Sequence, residues 1–271
     1  MAQSPVLPNF KSAVADFWNA EPCGTRYLGE GLDFERHAAE RYRLEPYIPA
    51  FAQFDASAGL RVLEIGVGMG ADYEQWLRAG AVATGVDVSE SSLARARQRC
   101  EQSGLHADLR QADAETLLFA NNSFDVVYSY GVMHHSPDTQ RCLDEARRVL
   151  KPGGTARIML YHHASLTGIM LWLRYGMWRG QSIRQCVYER LESPGTKTFT
   201  QAEVTAMMAR FEDVRIEQVF SPGDLLLSQP SARFQSAIYR IAWKLFPRRL
   251  MHRFARRWGL FLLITGRKGG E

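Results

Sequence analysis

A disulfide framework is the first thing this chain lacks. Its four cysteines, Cys23, Cys100, Cys142 and Cys186, are scattered over 271 residues without a Cys-x-x-Cys pair. That argues against stapled loops and zinc ribbons, fits a reducing compartment, and makes a cytoplasmic location the expectation. Met1 to Phe10 has no basic stretch followed by an apolar one, so no secretory signal is expected. Internal repeats and low-complexity linkers are missing too. The longest apolar run, Ile158 to Trp178, holds one formal charge, Arg174, but also His162 and His163. Because it begins as a strand, it reads as a buried strand followed by an amphipathic helix rather than as a membrane span. Neither metal-ligand spacing nor Ser/His/Asp spacing occurs, so no metal is expected.

Charge is unevenly placed. The chain carries a formal net charge of +4, yet eight Lys/Arg and no acid lie between Arg233 and Arg257. Everything outside that segment is net acidic. Within residues 231–258, Phe234, Ile238, Ile241 and Leu245 share one helical face, with Arg233, Arg240 and Lys244 opposite. After Pro247, Leu250, Met251, Phe254 and Trp258 repeat the pattern against Arg249, Arg253, Arg256 and Arg257. Two basic amphipathic helices suit peripheral contact with an anionic membrane face, or a solvated arginine face over the protein's own sheet. Nucleic acid is the weaker alternative, because no RNA-binding module accompanies the basic run.

The rest reads as β/α alternation. Strands are expected near Arg61–Ile65, Val82–Val86, Ala107–Gln111, Phe124–Ser129 and Ala156–Tyr161, with helices near Ala71–Ala79, Ser91–Ser103 and Thr139–Leu150. This spacing predicts a parallel sheet with helices on both faces. Asn9–Ala20 reads as a helix, and Asp33–Phe54 as helices broken at Pro46 and Pro49. Beyond Tyr161 the spacing changes to a long insertion, a helix at Gln201–Arg210, a strand at Val214–Phe220 and a last strand at Leu260–Gly266.

The first strand leads into Glu64-Ile65-Gly66-Val67-Gly68-Met69-Gly70, and Asp87 closes the second. A glycine turn after one strand and an acid after the next is how a wound α/β sheet receives an adenosine-bearing cofactor. The dinucleotide fingerprint wants G-x-G-x-x-G. Here the spacing is E-x-G-x-G-x-G, and the acid two residues before the first glycine suits a cationic ligand better than a pyrophosphate.

This segment resembles motif I of the class I S-adenosylmethionine-dependent methyltransferases, in their small-molecule, type-11-like branch. Gln111-Ala112-Asp113-Ala114, Phe124-Asp125-Val126-Val127-Tyr128-Ser129, His134-His135-Ser136-Pro137-Asp138 and Leu150-Lys151-Pro152-Gly153-Gly154 match further motifs of that family. The resemblance is good over about residues 60–160 and loose elsewhere. It implies a doubly wound, mainly parallel seven-stranded Rossmann-like sheet, with Leu260–Gly266 as an inserted antiparallel strand and helical lid additions. It also implies S-adenosylmethionine as cofactor and S-adenosylhomocysteine as product, held by Glu64, Gly66, Gly68, Gly70, Asp87, Val88, Asp113, Ala114 and Tyr130. The [DNS]-P-P-[FYW] tetrapeptide of nucleic-acid amino-methylating relatives is replaced by Ser129-Tyr130-Gly131-Val132, which favours O- or C-methylation.

His134, His135, Tyr161 and His162 are the candidate catalytic residues, since each falls at the carboxyl edge of the sheet. The two adjacent histidines serve either substrate and proton or the shape of their loop. Trp18, Tyr27, His163, Trp172 and Tyr175 are the candidate substrate contacts, from covers before strand one and after strand five. The expected organisation is an N-terminal helical lid (1–55), a cofactor-binding core (56–161), a substrate-cover insertion (162–200) and the end of the sheet (201–271) with its basic helices at 231–258. The expected activity is methyl transfer to a small, hydrophobic or aromatic acceptor. A lipid-like acceptor at a membrane surface and an NAD(P)-dependent oxidoreductase are the alternatives, and the oligomeric state stays open.

Overall fold

The computed structural model describes residues 10–20, 32–191, 193, 195–227 and 255–270. Seven strands form one sheet: β1 (Arg61–Ile65), β2 (Val82–Asp87), β3 (Asp108–Gln111), β4 (Phe124–Tyr130), β5 (Leu150–Tyr161), β6 (Glu212–Val219) and β7 (Phe261–Arg267). Their order is β3-β2-β1-β4-β5-β7-β6. The first five are parallel to one another, and β7 runs antiparallel between β5 and β6. Strand order reverses between β1 and β4, which is where a wound sheet opens a crevice at its carboxyl edge.

Side-chain alternation along β1 assigns the two faces. Leu63 and Ile65 join Val127, Ile158 and the stripe Cys142, Leu143, Ala146, Val149 of α6 (Thr139–Val149). Val62 joins Val126 and Tyr128 under Trp76 of α4 (Ala71–Arg78) and Leu93, Ala96 and Cys100 of α5 (Glu90–Gln102). Fully burying each large apolar side chain contributes about 1.5–3 kcal/mol. Local signals set the helix starts: Ser89 Oγ accepts from Ser92 N (3.1 Å), and Asp138 Oδ1 accepts from Arg141 N (2.9 Å).

The boundaries differ from the sequence reading in instructive ways. β5 starts at Leu150 rather than Ala156, because Gly153 N donates to Lys268 O and Lys268 N to Gly154 O (both 2.8 Å), extending the ladder through the Pro-Gly-Gly turn. α1 (Phe10–Ala20) and α2 (Phe34–Leu44) precede α3 (Ile48–Ala52), whose first turn contains Pro49. Proline lacks an N–H that the first turn leaves unpaired anyway, so Pro49 opens a helix instead of breaking one. The basic segment is described only from Ala255, as a short helix to Trp258. Residues 228–254, which carry most of the two amphipathic patterns, lie outside the described residues.

After β5, α7 (Leu166–Leu171) and α8 (Ile183–Arg190) pack on each other through Leu171, Cys186 and Val187, forming a small cluster of their own. α9 (Gln201–Met207) starts with a reciprocal Thr200–Glu203 capping box. Among the described residues, no helix is long and apolar enough to cross a membrane.

Candidate active site

A cavity of about 250 Å³ occupies the crevice. One wall is Gly66 and Gly68 after β1, Asp87 and Val88 after β2, and Ala112, Asp113 and Ala114 after β3. The other wall is Tyr130 to Met133 after β4, His135, Met159 and Tyr161 on β5, and Phe261 on β7. Lys11, Val14 and Trp18 of α1, with Arg41 and Glu45 at the end of α2, close it over.

Two glycines shape the first wall. Gly66 has φ +80°, and a Cβ there would lie 2.1 Å from Val132 Cγ2. Gly68 has φ +51°, and its Cβ would meet no protein atom within 4 Å. The first glycine therefore lets two loops close together, while the second leaves bare backbone beside the cavity. Gly68 N–H donates to Asp87 Oδ2 and Ser89 N–H to Asp87 Oδ1, both at 2.9 Å. These bonds fix the carboxylate at the cavity edge, and burial pushes its pKa above the usual range.

Asp113 is positioned by two contacts that sequence reading did not anticipate. Its Oδ1 accepts from Glu115 N (2.9 Å), and its Oδ2 pairs with Lys11 Nζ (2.6 Å). Lys11 also pairs with Glu115. At its other end α1 reaches Ser89 and Ser91 through Asn19, where Ser89 Oγ donates to Asn19 Oδ1 (2.8 Å) and Ser91 Oγ to Asn19 O (3.0 Å). Thus α1 is tied to the loops of both acids.

Arg41 comes from a buried network. Its Nε and Nη2 grip Asp72 bidentately (2.9 and 2.6 Å), and Asp72 also accepts from Tyr42 OH (3.0 Å) and Tyr128 OH (2.8 Å). The guanidinium lies 5.1 Å from the centre of the Tyr130 ring. Glu45, one turn along, also lines the cavity, 3.5 Å from Arg41 Nη1.

Several expected residues stand elsewhere. Glu64 shares the Val62 face of β1, so its carboxylate is buried and accepts from Trp76 Nε1 (2.9 Å) rather than facing the cavity. Burial, reinforced by the Asp72 charge, holds its pKa well above the usual carboxylate range. Gly70 caps α4 and packs on α5, with a would-be Cβ 2.9 Å from Ala96 Cβ, away from the cavity. His162 is held beside β6, its Nδ1 3.0 Å from Ala164 O and 2.7 Å from Gln218 Nε2. His163 is outside the lining, as are Trp172, whose indole donates to Gln181 O (2.8 Å), and Tyr175, whose ring meets the Arg174 and Arg190 guanidiniums. Trp172 and Tyr175 stand off the cavity for one reason: α7 buries its apolar side against α8 instead of over the crevice. Tyr27 lies outside the described residues.

Three candidate catalytic residues remain. His134 is fully buried and stacks on Tyr161 at 3.8 Å, with no hydrogen-bond partner on either ring nitrogen among the described residues. Burial drives its pKa well below the usual value, so it is a neutral wall support behind Tyr161. Tyr161 faces the cavity and is stacked on Phe261, 5.4 Å and 9° apart. His135 lines the cavity, with the Trp18 ring edge-on at 5.4 Å and its Nδ1 bonded to Ser193 Oγ at 2.8 Å.

Lys11, Arg41, Glu45, Met159 and Phe261 were missed. Met159 and Phe261 were legible in principle as inward positions on two paired strands. Arg41 and Glu45 carried no signal beyond an ordinary helical i, i+4 pair.

A family model described as "Methyltransferase domain" matches residues 63–158. A ubiquinone biosynthesis O-methyltransferase from Ruegeria pomeroyi is 44% identical over 160 residues, which cover 55% of this chain and 59% of that protein. Its namesake from Cereibacter sphaeroides is 32% identical over 160 residues, covering 55% and 60%. The matches thus span about 60% of those relatives' length. Among solved structures, the geranyl diphosphate C-methyltransferase of Streptomyces coelicolor superposes with a TM-score of 0.65 at 19% identity, covering 98% of this chain and all of that one. The [4+2]-cyclase SpnF superposes at 0.59 with 17% identity, each chain covered in full. At such identities the likeness establishes the fold alone, and the cyclase shows that this fold also hosts other chemistry.

Proposed function

We propose, on the methyltransferase-domain match at residues 63–158 and the O-methyltransferase relatives, that this chain is a class I S-adenosylmethionine-dependent methyltransferase and transfers a methyl group from S-adenosylmethionine to oxygen on a small hydrophobic or aromatic acceptor. The observation that carries this reading is one continuous cavity, joining the Gly66–Gly68–Asp87–Asp113 wall to an aromatic wall of Tyr130, Tyr161 and Phe261. Oxygen is favoured over carbon because the relatives sharing 32–44% identity are named O-methyltransferases.

The residues fit the cofactor. The open side of Gly68 admits a ligand against bare backbone, and Asp87 offers its remaining lone pairs to ribose hydroxyls. Asp113 keeps acceptor capacity for an adenine amino group. Arg41 and Glu45, opposite charges one turn apart, match a zwitterionic amino-acid group, taking its carboxylate and ammonium respectively. Glu45 thus fills the role expected of Glu64.

When bound, S-adenosylmethionine supplies an activated methyl group, which bonds to the acceptor oxygen as its bond to sulfur breaks toward sulfur. The chain's own contribution is to hold the acceptor against Tyr161 and Phe261, exclude water beneath α1, and receive the hydroxyl proton at His135. Calorimetry with S-adenosylhomocysteine, with NADH as control, tests the cofactor. Tight binding of the first alone is expected, and binding of NADH alone would restore the oxidoreductase reading. A screen of phenols, quinols and polyketide-like hydroxyls then tests the acceptor.

A lipid-like acceptor at a membrane surface is the second reading. It is favoured by exposed Leu173, Met177 and Trp178, the last 84% exposed, beside Arg174 and Arg179. The basic pattern of 231–258 adds cationic character on the sequence level.

A further inference from the structure

We infer that Ser193 and Thr196 are positioning residues: they hold His135 as the Nδ1-protonated tautomer and thereby place its lone pair on Nε2. The inference rests on the methyltransferase reading, because it explains how His135 is prepared to accept a hydroxyl proton.

Two hydroxyls converge on one ring nitrogen. Ser193 Oγ lies 2.8 Å and Thr196 Oγ1 3.2 Å from His135 Nδ1. Thr196 spends its only proton on Ser193 O, to which Oγ1 donates at 2.8 Å. Toward His135, Thr196 therefore presents lone pairs alone. A bare Nδ1 would set its lone pair against that oxygen, whereas Nδ1–H donates to both oxygens at once. The ring then carries its lone pair on the opposite edge, at Nε2. When Nε2 takes a proton from an acceptor hydroxyl, the imidazolium keeps the Nδ1–H bonds, and the two oxygens stabilise the charge.

The arrangement is built rather than incidental. Ser193 is 1% exposed and Thr196 fully buried, so water does not compete for these bonds. Their loop is fastened to the histidine loop and to β5. Gly195 N donates to Tyr188 O (3.0 Å), Lys197 N to His134 O (3.0 Å), Lys197 Nζ to Ser136 O (2.8 Å) and also to Pro137 O, and Phe199 N to Tyr161 O (2.8 Å). The sequence gives no hint of this, since Ser193 and Thr196 stand 58 and 61 positions from His135.

The test reads the tautomer directly and needs no acceptor. The full chain is labelled with ¹⁵N-histidine, and the resonances lost in His135→Gln are assigned to His135. At pH 8 the wild-type protein should show a protonated Nδ1 and a bare Nε2. Ser193→Ala combined with Thr196→Val should lose that pattern in favour of the Nε2-protonated tautomer usual for free imidazole, while Thr196→Ser alone should retain it. An Nε2-protonated His135 in the wild type, or an unchanged pattern in the double variant, would overturn the inference. If the double variant does not fold, the wild-type pattern and the single variants decide. S-adenosylhomocysteine affinity, measured on the same samples, should be unchanged. Its absence in the wild type would sink the methyltransferase reading and leave the tautomer result standing.

Discussion

Replacing Gly68 by alanine separates a ligand cradle from a tight turn. The substitution adds one methyl group at φ +51°, where no protein atom lies within 4 Å of it. The cost to folding is then only that of an L-residue in the left-handed region, roughly 1–2 kcal/mol. For a chain of this size that lowers the melting temperature by about 2–4 °C per kcal/mol. The cost to binding is larger, because the methyl group stands where a ligand would approach the backbone beside Asp87. A displacement of S-adenosylhomocysteine there should weaken binding at least about tenfold, or ~1.4 kcal/mol. Gly66→Ala is the contrast. Its Cβ would lie 2.1 Å from Val132 Cγ2 and 2.8 Å from Cγ1. Overpacking of about 1–3 kcal/mol then adds to a similar backbone cost. Thermal unfolding and calorimetry on both variants give the answer. Gly68→Ala should lose affinity out of proportion to stability, and Gly66→Ala should lose stability first. Val132→Ala combined with Gly66→Ala should recover part of the loss, a coupling that the double-mutant cycle measures. Wild-type affinity in Gly68→Ala, or equal destabilisation by the two alanines, would refute the cradle.

Asp87→Ala should weaken S-adenosylhomocysteine binding by about 1.5–3 kcal/mol, since it removes charge-assisted acceptors; unchanged calorimetric affinity would disprove the placement. Acid should destabilise the protein through His37, whose Nδ1 accepts from Arg99 Nη2 at 2.8 Å and whose pKa burial and then Arg99 and Arg41 lower to about 4. The folded state then binds fewer protons than the unfolded one, so stability is complete above about pH 6.5 and falls toward pH 4, by on the order of 3 kcal/mol. Urea midpoints at pH 7, 5.5 and 4.5 should show a shallower decline in His37→Gln than in the wild type. Asp224, fully buried, accepts from Ser221 N, Thr167 N and Leu260 N at 2.7–2.9 Å. Asp224→Ala leaves those donors unpaired and should cost about 3 kcal/mol or more in denaturant melts. If a membrane surface presents the acceptor, sedimentation with anionic liposomes should drop when Leu173, Met177 and Trp178 become Ser; equal sedimentation would remove that reading.

The sheet was legible because each strand carries its own signal. Apolar runs at β/α spacing, Ser89 and Asp138 as caps, and glycines at the first crossover are local facts, and local facts survive in a linear reading. The cavity wall after β1, β2 and β3 followed from them, since residues just past parallel strands converge on one edge. What failed depended on which way a helix or a strand face turned. Glu64 was assigned by its distance from Gly66 in sequence, but strand alternation sends it under Trp76. Trp172 and Tyr175 were assigned by their position after β5, but α7 found a partner in α8 and turned its apolar side there.

That contrast also explains how charge enters the cavity. The motif puts an acid beside the first glycine, yet a carboxylate on that face is enclosed by Trp76 and Tyr128 and sits near Asp72. Two carboxylates in one buried space need a cation, and Arg41 supplies it to Asp72 through both Nε and Nη2. The pairing uses one edge of the guanidinium and leaves Nη1 toward Glu45. The buried acids therefore act on the cavity indirectly, by fixing the direction of Arg41. Removing Asp72 charge with Asp72→Asn should loosen Arg41 and weaken cofactor binding although Asp72 does not line the cavity. Glu64→Gln keeps the Trp76 bond through its amide oxygen and mimics the protonated acid that burial and Asp72 favour, so it should leave affinity near wild type. If instead Glu64→Gln abolished binding and Asp72→Asn did not, the motif acid would be the ligand-facing group and the assignment of Glu45 would fall.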